Sequence, residues 1–374
     1  MEKIAELKKN SGKKGHEALF CWLMICFILF EAFLVTVLLI RSLAAPTAGD
    51  DPPSHDGEST TDGTAPIDPP VDLPVFTDAD IPALPTATAA TKTISGIHSK
   101  YAVLVNAKTG EIVAQSDADT RFEPASLTKV MTLIVACENL KESDLDRKLV
   151  LTQEIWDYVR SGDYLESSVA GHDVNDEVKI KDLLYGIGME SAADCTMMIA
   201  QEIAGSEEAF VALMNRKAEA LELSNTHFDN AIGHESEQNY TTAREMAVIM
   251  MYAMQSDLIA DILGLTQHVF NASYYDDAGV YQDFRFTYYS TLFRSRMDTY
   301  KKYAGKDFSL TTAKLKAGKT GSFITSSYVV CAANGLQSGT QYILVLGDAP
   351  KEGTVPASYG TMCDVKTVLD TYAK

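Results

Sequence analysis

Residues 101–115, read as Tyr101–Asn106 (YAVLVN), the turn Ala107-Lys108-Thr109-Gly110 and Glu111–Gln115 (EIVAQ), decide how this chain folds. Two short apolar runs flank a four-residue connection ending in glycine, the pattern of a β-hairpin. A second pair lies near the C-terminus: Tyr328–Ala333 (YVVCAA) and Tyr342–Gly347 (YILVLG), joined through Asn334-Gly335. Between the two pairs the period changes from two to 3.6. Ser126–Asn139 (SLTKVMTLIVACEN) reads as a helix behind the start signal of Pro124. From Val178 to Ala220 the positions Leu183, Leu184, Ile187, Met198, Ile199 and Ile203 continue the helical spacing, and Ala357–Ala373 closes the chain as an amphipathic helix. Strands at both ends around a helical block predict one α+β domain whose terminal segments share an antiparallel sheet flanked by helices.

Upstream the composition is different. Ala18–Ile40 is a run of 23 residues interrupted only by Glu31, long enough to cross a bilayer as a helix. Lys3, Lys8, Lys9, Lys13 and Lys14 precede it, so residues 1–17 read as a cytoplasmic basic tail and everything after Arg41 as exported. The run is longer than a typical leader and reads as a single-pass anchor. Ser42-Leu43-Ala44-Ala45 offers a cleavage site, and its use would make the protein secreted instead. From Pro46 to Ser95 lie nine of the twelve prolines and nine acids against one lysine, with Phe76 the sole aromatic. Residues 41–95 therefore read as a disordered acidic spacer, and residues 96–374 as the working domain.

The full chain has 374 residues and a net charge of −19, from 32 basic and 51 acidic side chains. That balance excludes nucleic acid as a natural partner, because phosphate binding relies on a basic surface. Seven histidines are scattered and no clustered cysteines suggest a zinc site, so neither a metal nor a cofactor is expected. Cys137, Cys195, Cys331 and Cys363 fall in apolar or helical stretches and read as free thiols.

Chemistry enters at Ser126-Leu127-Thr128-Lys129. On a helix, positions i and i+3 share a face, so Lys129 can reach the Ser126 hydroxyl. A lysine can take that proton only when neutral, which requires burial or a second cation nearby. Ser191 lies 65 residues beyond Ser126, in the helical block, and Lys319-Thr320-Gly321 lies 193 residues beyond it, entering a strand. Lys108-Thr109-Gly110 repeats the last triplet in a hairpin turn, so the triplet alone discriminates nothing. The order and context of the three elements do.

In that order they resemble the low-molecular-weight penicillin-binding D-alanyl-D-alanine carboxypeptidases. The likeness extends through EPASLTKVMT (123–132), KIKDLLYG (179–186), AEALELSNTHFDN (218–230) and KAGKTGS (316–322). It implies a β-lactamase/DD-peptidase-like fold, an antiparallel sheet flanked by helices with an inserted all-helical subdomain. It also implies a serine DD-carboxypeptidase that removes the terminal D-alanine from peptidoglycan stem peptides and is inhibited covalently by β-lactams. Ser126 would be the nucleophile, Lys129 its proton acceptor, and Ser191 the relay to the leaving amine. Lys319, Thr320 and Gly321 would bind the substrate carboxylate end, with Lys319 also holding Lys129 neutral by repulsion. The backbone N–H groups of Ser126 and Ser322 would hold the oxyanion.

One position departs from the resemblance. The second motif in that family is usually Ser-x-Asn, whereas Ala193 stands here. Losing one substrate hydrogen bond costs about 1–3 kcal/mol, roughly a tenfold to hundredfold drop in rate. A catalytically weak or inactive wall-binding homologue is therefore the alternative reading, with a β-lactamase the other. Asp194 reads as a surface or capping acid. The aromatic segment 267–303, with Arg285, Arg294 and Arg296, matches the family poorly and reads as a packed flap, or as a wall of the groove.

Overall fold

In the computed structural model, which describes residues 75–76, 79–164, 167–276 and 278–373, the two ends of the domain meet in one sheet. The basic tail, the run 18–40 and the spacer as far as residue 74 lie outside the described residues. Among the described residues no single helix is long and apolar enough to cross a membrane.

The chain runs through β1 (Thr86–Thr93), β2 (Tyr101–Asn106), β3 (Glu111–Ser116), α1 (Lys129–Asn139), β4 (Lys148–Val150), α2 (Gln153–Tyr158), β5 (Glu177–Lys179) and α3 (Ile180–Tyr185). Next come α4 (Ala193–Ala204), α5 (Glu207–Ala220), α6 (Ala243–Ala253), α7 (Asp257–Gly264), β6 (Gln267–Tyr275) and β7 (Tyr281–Tyr289). It ends with α8 (Met297–Ala304), β8 (Ala313–Ser322), β9 (Ser326–Gly335), β10 (Gln341–Pro350) and α9 (Ala357–Tyr372).

The main sheet has the order β1-β3-β2-β10-β9-β8. The expected hairpin forms, with Val103 opposite Gln115, and β10 pairs with both β2 and β9, Leu344 facing Leu104 on one side and Cys331 on the other. Alternation explains why these strands read as nearly unbroken apolar runs. Val103, Val105, Val330 and Val345 face the helical block, while Ala102, Leu104, Val329 and Leu344 face α9 through Val365, Val368 and Leu369. A sheet covered on both sides has no polar face to show in its sequence. Helix α1 is likewise buried from Lys129 to Cys137, so it is the central rod of the helical block and not an amphipathic surface helix.

Two expectations need correction. The spacer does not extend to residue 95: Thr86–Thr93 is β1, pairing parallel with β3, and Ile94 behind it is 3% exposed. Val75 and Phe76 also donate backbone hydrogen bonds to Leu140 and Cys137 at the end of α1. Strand pairing uses backbone groups, so a Thr/Ala run can form an edge strand whatever the proline content of its neighbours. The inserted region also holds more than helices. It carries a second sheet, β4-β5-β6-β7, built around the long hairpin β6–β7, whose Phe270, Phe286 and Tyr288 pack with His172. The hairpin is the flap expected from the aromatic segment. Cys137, Cys195 and Cys331 are buried free thiols, and Cys363 is half-buried.

Ile94 is the sharpest test of where the domain starts. Ile94→Ala should lower unfolding stability in urea by about 2–5 kcal/mol, the cost of emptying a core position. A residue in a disordered spacer would leave the midpoint unchanged.

Candidate active site

The nucleophile's turn is held by contacts far apart in sequence. Ala125 takes a left-handed backbone, φ 49°, at the start of a tight 3-10 turn Ala125–Thr128 that runs directly into α1. Glycines hem it in on two sides. A Cβ on Gly233 would collide with the Ala125 carbonyl, and one on Gly321 would stand 3.1 Å from the Ala125 Cβ and 3.3 Å from the Ser126 nitrogen. Position 233 admits only glycine at this approach, and a side chain at 321 would be tightly crowded.

From that turn Lys129 Nζ donates to Ser126 Oγ at 3.3 Å and to the Ile232 carbonyl at 2.6 Å. The carbonyl is fixed by its own neighbours. Asn230 Oδ1 accepts from the backbone N–H of Gly233 and His234, the Ala231 N–H donates to Glu207, and Thr132 donates to the Ala231 carbonyl. Ser191 follows a π-helical turn, Gly186–Glu190, and is itself left-handed at φ 61°. Its Oγ accepts from Lys319 Nζ at 2.9 Å. Lys319 also donates to the Thr320 carbonyl, and Thr320 Oγ1 donates to Thr291.

Two adjoining cavities open onto this arrangement. One, of about 250 Å³, is lined by Ser126, Ser191, Thr291, Arg296, Thr320 and Ser322 among others. The other, of about 290 Å³, includes Ser126, Lys129, Ile232, His234, Ser322 and Phe323. Ser126, Ser168 and Ser322 border both, so the two are halves of one groove beside the free edge of β8. The structure thus brings together Ser126, Lys129, Ser191, Lys319, Thr320, Gly321 and Ser322. Lys108-Thr109-Gly110 stays in its hairpin turn, where Asn106 Oδ1 accepts from the backbone N–H of Lys108 and Thr109.

Arg296 is the site residue that the sequence did not single out for chemistry. It is 6% exposed and donates to Ser327 Oγ, the Gly321 carbonyl and Ser322 Oγ, at 2.7, 3.1 and 2.8 Å. Arg285 and Arg294 stay exposed. Nothing local distinguishes the three arginines; the π-helical turn Thr291–Arg296 turns only the last of them beneath β8.

Burial dominates the electrostatics. It pushes the Lys129 amine down to about 7, against the opposing pull of Asp194 and Glu207. Lys319 is driven well below its ordinary value, first by burial, then by the charges of Lys129 and Arg296. Arg296 is lowered to about 10 by burial. The expected cause is therefore reordered: removal from water, more than repulsion by Lys319, readies Lys129 to accept a proton. No described carboxylate pairs with Lys129, Lys319 or Arg296, whose partners are hydroxyls and carbonyls. Arg296 keeps its charge without a paired carboxylate, and an entering anion would restore the charge of Lys319 beside it, so this half of the groove is a place for an anion.

Asp194 is not a surface acid. It is fully buried in the first turn of α4, where its carboxylate accepts from the N–H of Cys195 and of Ala170. Ala193 is also fully buried, and its N–H donates to the Ser168 carbonyl at 2.7 Å.

The sequence profile of the D-alanyl-D-alanine carboxypeptidase family matches residues 86–314, starting at β1 and stopping just short of Lys319. Among curated proteins, the D-alanyl-D-alanine carboxypeptidases DacF of Bacillus subtilis and DacC of Escherichia coli are 32% and 33% identical over 170 and 168 residues. These alignments cover 44% of this chain and 41% and 42% of theirs, so the likeness spans less than half of each relative. The crystal structure of a Streptomyces DD-transpeptidase superposes with a TM-score of 0.59 at 24% identity, over 74% of this chain and 98% of the other. Penicillin-binding protein 5 of Haemophilus influenzae gives 0.58 at 23%, over 74% and 71%. The fold is that of these DD-peptidases, an α+β domain with a helix-flanked sheet.

A group that works only when neutral leaves a signature in pH. Labelling of Ser126 by a serine-directed fluorophosphonate, followed by mass spectrometry, should accelerate as pH rises through about 7, where Lys129 loses its proton. Below that point the rate should fall about tenfold per pH unit. A rate independent of pH from 5 to 9 would remove Lys129 as the base.

Proposed function

The chain belongs to the D-alanyl-D-alanine carboxypeptidase family, and on that premise we propose that it is a serine DD-carboxypeptidase acting on peptidoglycan stem peptides. The observation that carries this reading is the Ser126 hydroxyl 3.3 Å from a buried, easily deprotonated lysine, beside a cationic pocket with no carboxylate of its own. The peptide's free carboxylate enters that pocket and is held by Lys319, Thr320 and Arg296. Pairing with the carboxylate returns Lys319 to its charged form, and that charge then helps keep Lys129 neutral.

Lys129 accepts the Ser126 proton as Oγ adds to the carbonyl between the last two residues. The backbone N–H groups of Ser126 and Ser322 hold the oxyanion; the close approach of Gly321 to the Ser126 nitrogen supports that pairing. When the carbon–nitrogen bond breaks, the proton reaches the leaving amine through the Ser191 hydroxyl, which already lies within hydrogen-bonding distance of Lys319. D-alanine departs and leaves an ester on Ser126. Water then attacks the ester, Lys129 taking its proton and passing it to Ser126 Oγ as the ester bond breaks and the shortened peptide is released. A β-lactam, which also presents a carboxylate and a reactive carbonyl, would follow the first half of this path and remain as an ester.

The proposed place of action is the outer face of the cell membrane, with residues 18–40 as the tether. Support for this comes from the sequence: the long apolar run, the lysines before it and the acidic, proline-rich stretch after it.

Full-length protein in detergent, treated with benzylpenicillin, should gain one adduct at Ser126 by mass spectrometry, and Ser126→Ala should gain none. The untreated protein should release D-alanine from a stem pentapeptide. A stable adduct with no D-alanine released would point to a binding module instead of an enzyme.

Arg296→Gln should reduce kcat/KM for D-alanine release about tenfold to a hundredfold, chiefly through KM, because it removes a desolvated charge facing the carboxylate. An unchanged KM in the folded variant would remove Arg296 from carboxylate binding.

A further inference from the structure

Ser167 and Ser168 line the groove together with residues at the end of β8, and the placement of this stretch is set by α4. The Ala193 N–H donates to the Ser168 carbonyl, and the Ala170 N–H donates to the buried Asp194 carboxylate at 2.9 Å. Ser168 therefore sits between two anchors on the first turn of that helix. Its backbone is fixed while its side chain is exposed, borders both halves of the groove, and has no partner among the described residues.

A peptide lying in this groove has two sides to satisfy. The free edge of β8, at Gly321 and Ser322, offers backbone groups along one side. Ala193, where the resemblance leads one to expect an asparagine, is fully buried and has no polar side chain. The amide carbonyl preceding the acylated residue would be stranded there without a donor.

We infer that Ser168 is a substrate-binding residue, its hydroxyl donating a hydrogen bond to the carbonyl of the amide that precedes the residue acylating Ser126. This rests on the proposed peptidase reading. The Ile232 carbonyl steadies Lys129, and Ser168 steadies the peptide.

The test compares two β-lactams on the full-length protein, benzylpenicillin with its side-chain amide and 6-aminopenicillanic acid without it. Ser168→Ala should slow acylation by benzylpenicillin about tenfold, the loss of one neutral hydrogen bond at the transition state. Acylation by 6-aminopenicillanic acid should change less than twofold. Ser168→Thr keeps the hydroxyl and should stay within threefold of the unsubstituted protein on both compounds. Equal rates for Ser168→Ala and the unsubstituted protein, an equal loss on both compounds, or a Thr variant as slow as the Ala variant would each overturn the assignment. If the unsubstituted protein forms no adduct with either compound, the peptidase reading itself fails, a result distinct from all of these.

Discussion

The site depends on an amine kept out of water. Lys129 reaches its place because its helix is buried on every side, and the protein gives it hydroxyl and carbonyl partners but no carboxylate. An ammonium ion in that position loses hydration that two neutral hydrogen bonds do not restore, so the neutral form gains ground. The groove follows from that constraint. Ser126 is one turn away, the segment around Ile232 must cross the helix to supply its carbonyl, and β8 must come near enough to close the other side.

Much of this was legible because it is local or periodic. Ser126 and Lys129 are separated by three positions, and their relation survives the change from the expected helix to a 3-10 turn leading into one. The terminal strands announced themselves as apolar runs, since both faces of the sheet are covered. What escaped was non-local or carried by the backbone. Arg296 looks like its neighbours Arg285 and Arg294 until the chain turns at Thr291–Arg296. Ile232 contributes a carbonyl, which has no letter in the sequence. Strand β1 was hidden by averaging over fifty residues, because prolines and acids on one side masked a short run of threonine and alanine that joins an edge through main-chain bonds.

Ala193 shows how a missing side chain is read differently in three dimensions. In the sequence it is a vacancy in a motif. In the fold it is a fully buried residue whose backbone N–H ties Ser168 to the start of α4. Asp194, next along the chain, completes the joint by accepting from Ala170. The pair therefore fixes the backbone from Ser168 to Ala170, and Ser168 borders the groove from that fixed stretch.

The clamp on Ala125 by Gly233 and Gly321 has a consequence for how such a sequence can change over time. The excursions between the clamped points run for roughly a hundred residues each, and lengthening a surface loop within them costs little, since closure entropy grows only slowly with loop size. A single methyl group on Gly233 would push the nucleophile's turn aside, and one on Gly321 would press against it. Descendants of this sequence should thus differ freely in the size of their insertions while remaining nearly invariant at two hydrogen atoms.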